Sequence, residues 1–66
     1  MKEPTYDYRN NAYIAGRFHY TIDGESVLVT WDADDGLFES LDVYTYPHYT
    51  DAETAAYRMA RLQANA

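Results

Sequence analysis

The sequence predicts an α+β fold in which a three-stranded antiparallel β-meander packs against one C-terminal α-helix. A fourth, short N-terminal strand is left open. Three observations support this fold: turn signals at Asp23-Gly24 and at Asp34-Asp35-Gly36, alternating apolar residues around them, and helical spacing after Pro47. A chain of 66 residues is long enough for one small domain, so we expect a single domain over 1–66.

The first turn signal is the Asp23-Gly24 pair between two β-rich segments. Such a pair favours a type I′ turn, in which both central residues have positive φ. Closing the hairpin there pairs Tyr20 with Val27 and Phe18 with Val29. Both pairs fall on one face of the hairpin, which we expect to be the core face.

The second turn signal is Asp34-Asp35-Gly36, which predicts a three-residue loop that ends in a left-handed glycine and a G1 bulge. This loop pairs Val29 with Leu41 and Val27 with Val43, and it keeps the apolar residues on the core face. A loop shorter by one residue would place a carboxylate opposite Val29, which the period-2 pattern disfavours. The predicted strands are Ala15–Ile22, Ser26–Asp32 and Leu37–Tyr46.

A C-terminal helix is predicted after Pro47, which ends the third strand because proline lacks a ladder donor. Thr50 and Glu53 have the spacing of a capping box. The following apolar residues recur at helical spacing and predict the buried stripe: Ala52, Ala55, Ala56, Met59 and Leu62. For residues 1–14 the choice between strand, helix and ordered arm stays open, although Tyr6 to Arg9 alternate as a short edge strand would.

Composition excludes several classes of protein. The chain has no cysteine, so it has neither disulfides nor thiolate ligands. No apolar run approaches the roughly 20 residues that span a bilayer, and the first residues do not resemble a signal peptide. Hydrophobic residues make up 47% and aromatic residues 17% of the chain, which is too apolar for a disordered acidic tail.

The charge is unevenly distributed. The net charge is −6, and residues 18–57 contain nine acids but neither lysine nor arginine. Like charges repel and weaken a compact state, so this arrangement suggests a function for the acids. The alternative is that acidity serves solubility, because turn chemistry accounts for Asp23, Asp34 and Asp35, and capping accounts for Glu53.

Seven of these acids are candidate binding residues. In the predicted register Asp32 and Asp42 point away from the core face, while Glu39 lies opposite Trp31 near a strand end. The other four lie in or beside the two predicted turns: Asp23, Glu25, Asp34 and Asp35. Residues two apart on a strand are roughly 6.6 Å apart, and duplex DNA has one charge per roughly 3.4 Å on each strand. Carboxylates placed in this way approach the charge density of a DNA backbone.

Three aromatic residues share the outward face with Asp42 in the predicted register, namely Phe38, Tyr44 and Tyr46. If exposed, they form an aromatic patch beside carboxylates, a common composition for a binding hot spot. The alternative is that the N-terminal segment folds over this face and buries the tyrosines.

No catalytic, metal or cofactor site is predicted. The acids from Asp32 fail the calcium-loop spacing, because Gly36 and Val43 occupy positions 5 and 12. His19 and His48 have no spacing that would bring them together with a third ligand. The sequence therefore favours a non-enzymatic protein, and the sign of its charge disfavours direct binding to nucleic acid.

A small, cysteine-free, tyrosine-rich acidic domain resembles the anti-CRISPR and antirestriction proteins of phages and mobile elements. The acids from Asp23 to Glu53 and the aromatics among them carry the resemblance. It is closest in character to the short inhibitors of type I CRISPR systems. It implies a DNA mimic in the host bacterial cytoplasm that occupies the basic DNA-recognition surface of a Cas effector (Cascade) subunit. It implies no cofactor, no membrane and no direct nucleic-acid partner. The alternative is a small interaction or regulatory module whose acidity mainly serves solubility.

Overall fold

The computed structural model describes residues 1–66 as five strands and one helix. The elements are β1 (Thr5–Asp7), β2 (Ala12–Ala15), β3 (Phe18–Asp23), β4 (Ser26–Asp32), β5 (Phe38–Thr45) and α1 (Tyr49–Ala64). The strands form one antiparallel sheet whose spatial order follows the chain. The predicted α+β class is confirmed, but the sheet has five strands where the sequence predicted three, with a fourth left open.

The additional strands come from an N-terminal hairpin. The carboxylate of Asp7 accepts hydrogen bonds from the Arg9 amide at 3.1 Å and from Asn10 Nδ2 at 2.7 Å, which fixes the turn between β1 and β2. Ala15 then pairs with Phe18, so the predicted first strand over 15–22 is divided by a second tight turn. The segment therefore turns back on itself because local hydrogen bonds close two short hairpins.

The β3–β4 hairpin has the predicted faces but a different register. Asp23 pairs with Ser26, and Tyr20 pairs with Val29 instead of Val27. Gly24 has φ 59° whereas Glu25 has no positive φ, the pattern of a type II′ turn and not of the predicted type I′ turn. A shift of two residues leaves every side chain on its predicted face, so the core face is unchanged.

The β4–β5 hairpin has the predicted turn, but its strand register differs from the prediction beyond Thr30. The Ala33 amide donates to the Leu37 carbonyl at 2.9 Å, and Gly36 has φ 81°, as the bulged loop requires. An irregularity between Val29 and Thr30 then leaves Leu41 as an extra residue, the signature of a β-bulge. The predicted Val29–Leu41 and Val27–Val43 pairs are therefore wrong.

The bulge reverses the faces of the second half of β5. Val29 lies opposite Asp42, and Val27 lies opposite Tyr44. Tyr46 continues this face and packs, half-buried, against the core. Its amide also donates to the Glu25 carbonyl at 2.9 Å. The extra residue therefore brings the tyrosine ring toward the core and leaves the smaller Val43 exposed.

The helix contacts the sheet through alanines. Ala52, Ala56 and Ala60 are completely buried against a cluster that contains Tyr20 and Val27. Small side chains let the helix axis approach the bulky residues of the sheet closely. Leu62, which the predicted stripe included, is 75% exposed. We call the sheet surface under α1 the helix face and the opposite surface the open face.

The helix begins before the predicted capping box. Its N-cap is His48, which makes no side-chain capping bond, and Thr50 lies within the first turn. At the other end Asn65 bonds to the backbone of Lys2, with Asn65 Oδ1 accepting from the amide and Nδ2 donating to the carbonyl, both at 2.9 Å. The helix α1 is not long and apolar enough to cross a membrane.

Candidate functional site

The strand β5 is exposed along its whole length. All eight residues from Phe38 to Thr45 are exposed, and β5 forms one edge of the sheet. The helix packs mainly against β3 and β2 and less against β4, so its contacts are centred away from β5. A helix is about 10 Å wide and strands lie about 4.8 Å apart, so one helix covers two to three strands. The geometry of a five-stranded sheet thus leaves β5 uncovered.

The bulge places two candidate carboxylates on the same face. Glu39 lies opposite Trp31, as the sequence predicted, and Asp42 lies opposite Val29. The prediction that Asp42 points away from the core face is wrong, because the extra residue Leu41 shifts its parity. Their partners on β4 are two residues apart, so the two acids lie about 7 Å apart along the strand.

The predicted aromatic patch is divided between the two faces. Tyr44 and Tyr46 lie on the helix face, opposite or beyond Val27. Phe38 lies on the open face, where its ring contacts His19 edge-on with a centroid distance of 5.0 Å. The N-terminal hairpin occupies the opposite edge of the sheet, so it does not cover the tyrosines as the alternative proposed.

The turn acids fall into two groups at opposite ends of β4. Asp23 and Glu25 lie at the β3–β4 turn, and Asp34 and Asp35 lie at the β4–β5 turn, about 20 Å away along the strand. Asp32, opposite Phe38, is half-buried and lies on the open face as predicted. β5 runs between the two turns. We define the acidic edge as the acids of β5 together with the turn acids at its two ends: Glu25, Asp34, Asp35, Glu39 and Asp42.

One base reaches this region. Arg17 forms the only ion pair of the protein, with Asp34, and both side chains are more than half exposed. Its guanidinium also lies 5.5 Å from the centroid of the Trp31 ring. Lys2 precedes β1, and Arg9 lies in the turn between β1 and β2. Arg58 and Arg61 lie in the C-terminal half of α1, where Arg58 is exposed and Arg61 is half-buried. Folding therefore leaves the other acids of the edge without ion pairs.

Asp42 affects two neighbours. Its Oδ1 accepts a hydrogen bond from the Val43 amide at 2.8 Å. The carboxylate can also accept a hydrogen bond from the Tyr44 phenol, and this interaction, together with its negative charge, raises the pKa of Tyr44. Neutral Tyr44 therefore persists to higher pH than a free tyrosine, and it presents a phenol beside a carboxylate.

An open groove runs between α1 and β5 on the helix face. Its walls are mainly apolar and include Leu41 and Tyr44 from the strand and Met59 and Leu62 from the helix. Asp42 is the acid at its rim. The groove is the part of the sheet that α1 does not reach, and it joins apolar contact area directly to the acidic edge.

Sequence reasoning missed Leu41 and Val43 as surface residues. It assigned both to the core, but they are 50% and 57% exposed. The signal that would have found them is the alternation of Tyr6 and Tyr8 in the N-terminal segment. Treating that segment as a hairpin makes the sheet too wide for one helix, which accounts for the exposure of Leu41, whereas Val43 is exposed because the bulge turns it to the open face.

The histidines and acids are the candidate ligands for a metal site. No group of three or more histidine or acidic side chains is placed to hold a metal ion. His48 occupies the N-cap position before α1, and His19 lies in β3 and contacts Phe38, so the two imidazoles lie in different parts of the fold. The acidic edge and the neighbouring groove together form the candidate functional site.

Comparison of the chain with protein-family models finds no match, and comparisons with curated proteins and with solved structures find none either.

Proposed function

We propose that this protein is a non-catalytic inhibitor that places its acidic edge on a basic, DNA-binding surface of another protein and excludes DNA. The observation that carries the proposal is that four of the five acids of that edge have no ion pair, Asp34 being the exception. Glu39 and Asp42 are exposed, lie about 7 Å apart on one face and have no ion pair. Such a surface attracts lysine and arginine side chains that normally contact phosphates.

The dimensions of the edge suit this function. β5 pairs along the seven residues of β4, so the acidic edge is roughly 20 Å long between its two turns. This length corresponds to about six base pairs of duplex DNA at 3.4 Å per pair. A basic groove that binds one face of a duplex therefore has room for the whole edge.

The partner that we propose is the DNA-recognition surface of a type I Cas effector complex (Cascade) in the host bacterial cytoplasm. The resemblance to small anti-CRISPR proteins supports this choice, together with the acidic edge. In this role the acids stand in for phosphates, and Tyr44 supplies an apolar contact beside Glu39 and Asp42 on the helix face. Complementary charge would make association fast and strongly dependent on salt.

A second candidate is a small protein-binding or regulatory module, an antirestriction DNA mimic included, whose acidity mainly serves solubility. The apolar groove beside β5 favours it, because the side chains of Leu62 and Leu41 are exposed there and offer apolar contact area. Binding through such a groove depends little on ionic strength. The salt dependence of complex formation therefore separates the two candidates.

The decisive experiment measures binding of target DNA by a purified type I effector complex in the presence of this protein. The test variant is Glu39→Gln with Asp42→Asn, which keeps the shape of both side chains and removes two charges. We expect its inhibition to be at least about tenfold weaker than that of the wild type, and we expect wild-type inhibition to decline at high salt.

The matched control is Asp51→Asn with Glu53→Gln, at the start of α1. It changes the net charge by the same amount but lies outside the acidic edge. Inhibition by this control should remain close to that of the wild type. Equal inhibition by all three folded proteins would refute the proposal, because it would show that the carboxylates of β5 do not contribute.

A further inference from the structure

The apolar residues of β5 are exposed on both faces of the same strand. Phe38 and Val43 lie on the open face and are 60% and 57% exposed. Leu41 and Tyr44 line the groove on the helix face and are 50% and 42% exposed. A helix or a globular surface can cover one of these faces only. An extended strand placed beside β5 has side chains on both faces and covers both.

The backbone of β5 also has unpaired groups. The Ala33 amide donates to the Leu37 carbonyl, and the Tyr46 amide donates to the Glu25 carbonyl. Along an antiparallel strand, the residues whose backbone groups bond to the neighbouring strand alternate with residues whose groups point away from it. Between the two hydrogen bonds just named, the residues of β5 that bond to β4 are therefore Glu39, Asp42 and Tyr44. The others direct their amides and carbonyls away from the sheet: Phe38, Ser40, Val43 and Thr45.

A strand edge of this kind is a template for another chain, and this one is partly protected. The outward amide of Val43 donates to the Asp42 carboxylate at 2.8 Å, which blocks one ladder position. The bulge at Leu41 and the carboxylates of Glu39 and Asp42 are further features that discourage strand pairing between like molecules. A basic partner would offer the Asp42 carboxylate a cation and leave the Val43 amide free to join a ladder.

Charge decides between a second copy and a different protein. Symmetric pairing of two β5 strands would place Glu39 and Asp42 of both copies on one face, and each copy has a net charge of −6. Like charges that face each other across strands are destabilising, whereas opposite charges are favourable. The charge of β5 therefore disfavours pairing with the β5 strand of a second molecule and favours pairing with a basic segment.

We propose that the β5 edge binds an extended segment of its protein partner as a sixth strand of the sheet. The side chains of that segment alternate between basic residues on the helix face and apolar residues on the open face. The basic residues neutralise Glu39 and Asp42, and their aliphatic stems cover Leu41 and Tyr44. The apolar residues cover Phe38 and Val43. This inference rests on the proposed function, since it specifies how the same partner is bound.

The test uses the full chain and an end-blocked eight-residue peptide of alternating lysine and valine. The control peptide has the same sequence with every residue N-methylated, which keeps the charges and removes the backbone donors. We expect the first peptide to bind at least about tenfold more tightly, because only it can form a ladder. We also expect slower amide exchange at Ser40 and Thr45 when it is bound.

The matched protein variants are Ser40→Pro and Ser40→Ala. Proline removes an outward amide that does not bond to β4, so the fold is retained, and proline is tolerated at such edge positions. We expect Ser40→Pro to bind the lysine–valine peptide about tenfold more weakly and Ser40→Ala to bind it like the wild type. Equal binding of the lysine–valine peptide and its N-methylated control would overturn the proposal. So would amide hydrogen exchange at Ser40 and Thr45 that the peptide does not slow.

Two further outcomes separate this inference from the proposed function. Ser40→Pro retains every carboxylate, so full inhibition by this variant, with loss of inhibition by Glu39→Gln/Asp42→Asn, would refute strand addition alone. Self-association of the wild type that protects the Ser40 and Thr45 amides, measured by sedimentation and exchange, would assign the edge to a second copy and refute the basic partner.

Discussion

Val27 is completely buried, whereas Val43, one strand away on the opposite face of the sheet, is 57% exposed. The two valines therefore test where the core ends. We expect Val27→Ala to lower the free energy of unfolding by about 2 kcal/mol, because it removes two buried methyl groups and leaves a cavity. We expect Val43→Ala to change it by less than about 0.5 kcal/mol. Urea denaturation of both variants is the measurement, and equal losses would contradict the assignment of faces.

The bulge at Leu41 gives a deletion test. Without Leu41 the ladder runs from Thr30 opposite Ser40 directly to Val29 opposite Asp42, with no other residue changing face. We expect the deletion variant to fold and to show the same NOE contacts between Val29 and Asp42.

Deletion of Leu28 from the central strand β4 is the control for this test. It disturbs the register toward both β3 and β5, so we expect it to unfold the protein. If deletion of Leu41 proves as damaging as deletion of Leu28, the bulge is not an independent insertion in β5.

Gly36 has φ 81°, a left-handed conformation that most residues adopt at a cost. We expect Gly36→Ala to destabilise the protein by about 1 kcal/mol, which lowers Tm by several degrees in a domain of this size. Asparagine tolerates this region better, so Gly36→Asn should retain more of the wild-type Tm. Thermal melts that rank alanine above asparagine would contradict the assigned turn.

Tyrosine titration provides a pH test. The pKa is raised for Tyr20 by burial, for Tyr57 by its 2.5 Å hydrogen bond to Glu3, and for Tyr44 by Asp42. Folding therefore favours the protonated phenols. The resulting contribution to stability is fully present below the unfolded pKa near 10, and it is lost as pH rises through the folded values. We expect Tm to fall as pH rises above about 10.

The variant Asp42→Asn isolates one of these residues. Asparagine removes the charge that disfavours the phenolate, so the pKa of Tyr44 should move back toward its ordinary value while that of Tyr57 stays unchanged. Titration followed by NMR of labelled tyrosine rings resolves the individual residues. A Tyr44 pKa that is insensitive to this substitution would show that Asp42 does not contact the ring in solution.

The acidic edge was predictable in composition but not in arrangement. The absence of bases from residues 18–57 is visible in the sequence, and it identified each acid of the edge. The position of Asp42 was not predictable, because the bulge at Leu41 has no local turn signal, and with the bulge Tyr46 packs against the core. The aromatic patch was predicted on one face for the same reason, and Phe38 and Tyr44 are in fact separated.

The sequence by itself determined the α+β class, the two later hairpins, the core face of β3 and β4, and the existence of the helix. These features follow from local chemistry: glycines at turn positions, the period-2 pattern, and apolar spacing after Pro47. The tertiary structure decided the width of the sheet, the position of the bulge and the exposure of β5. They depend on how much sheet one alanine-faced helix can cover, a property of the packed layers and not of any segment within them.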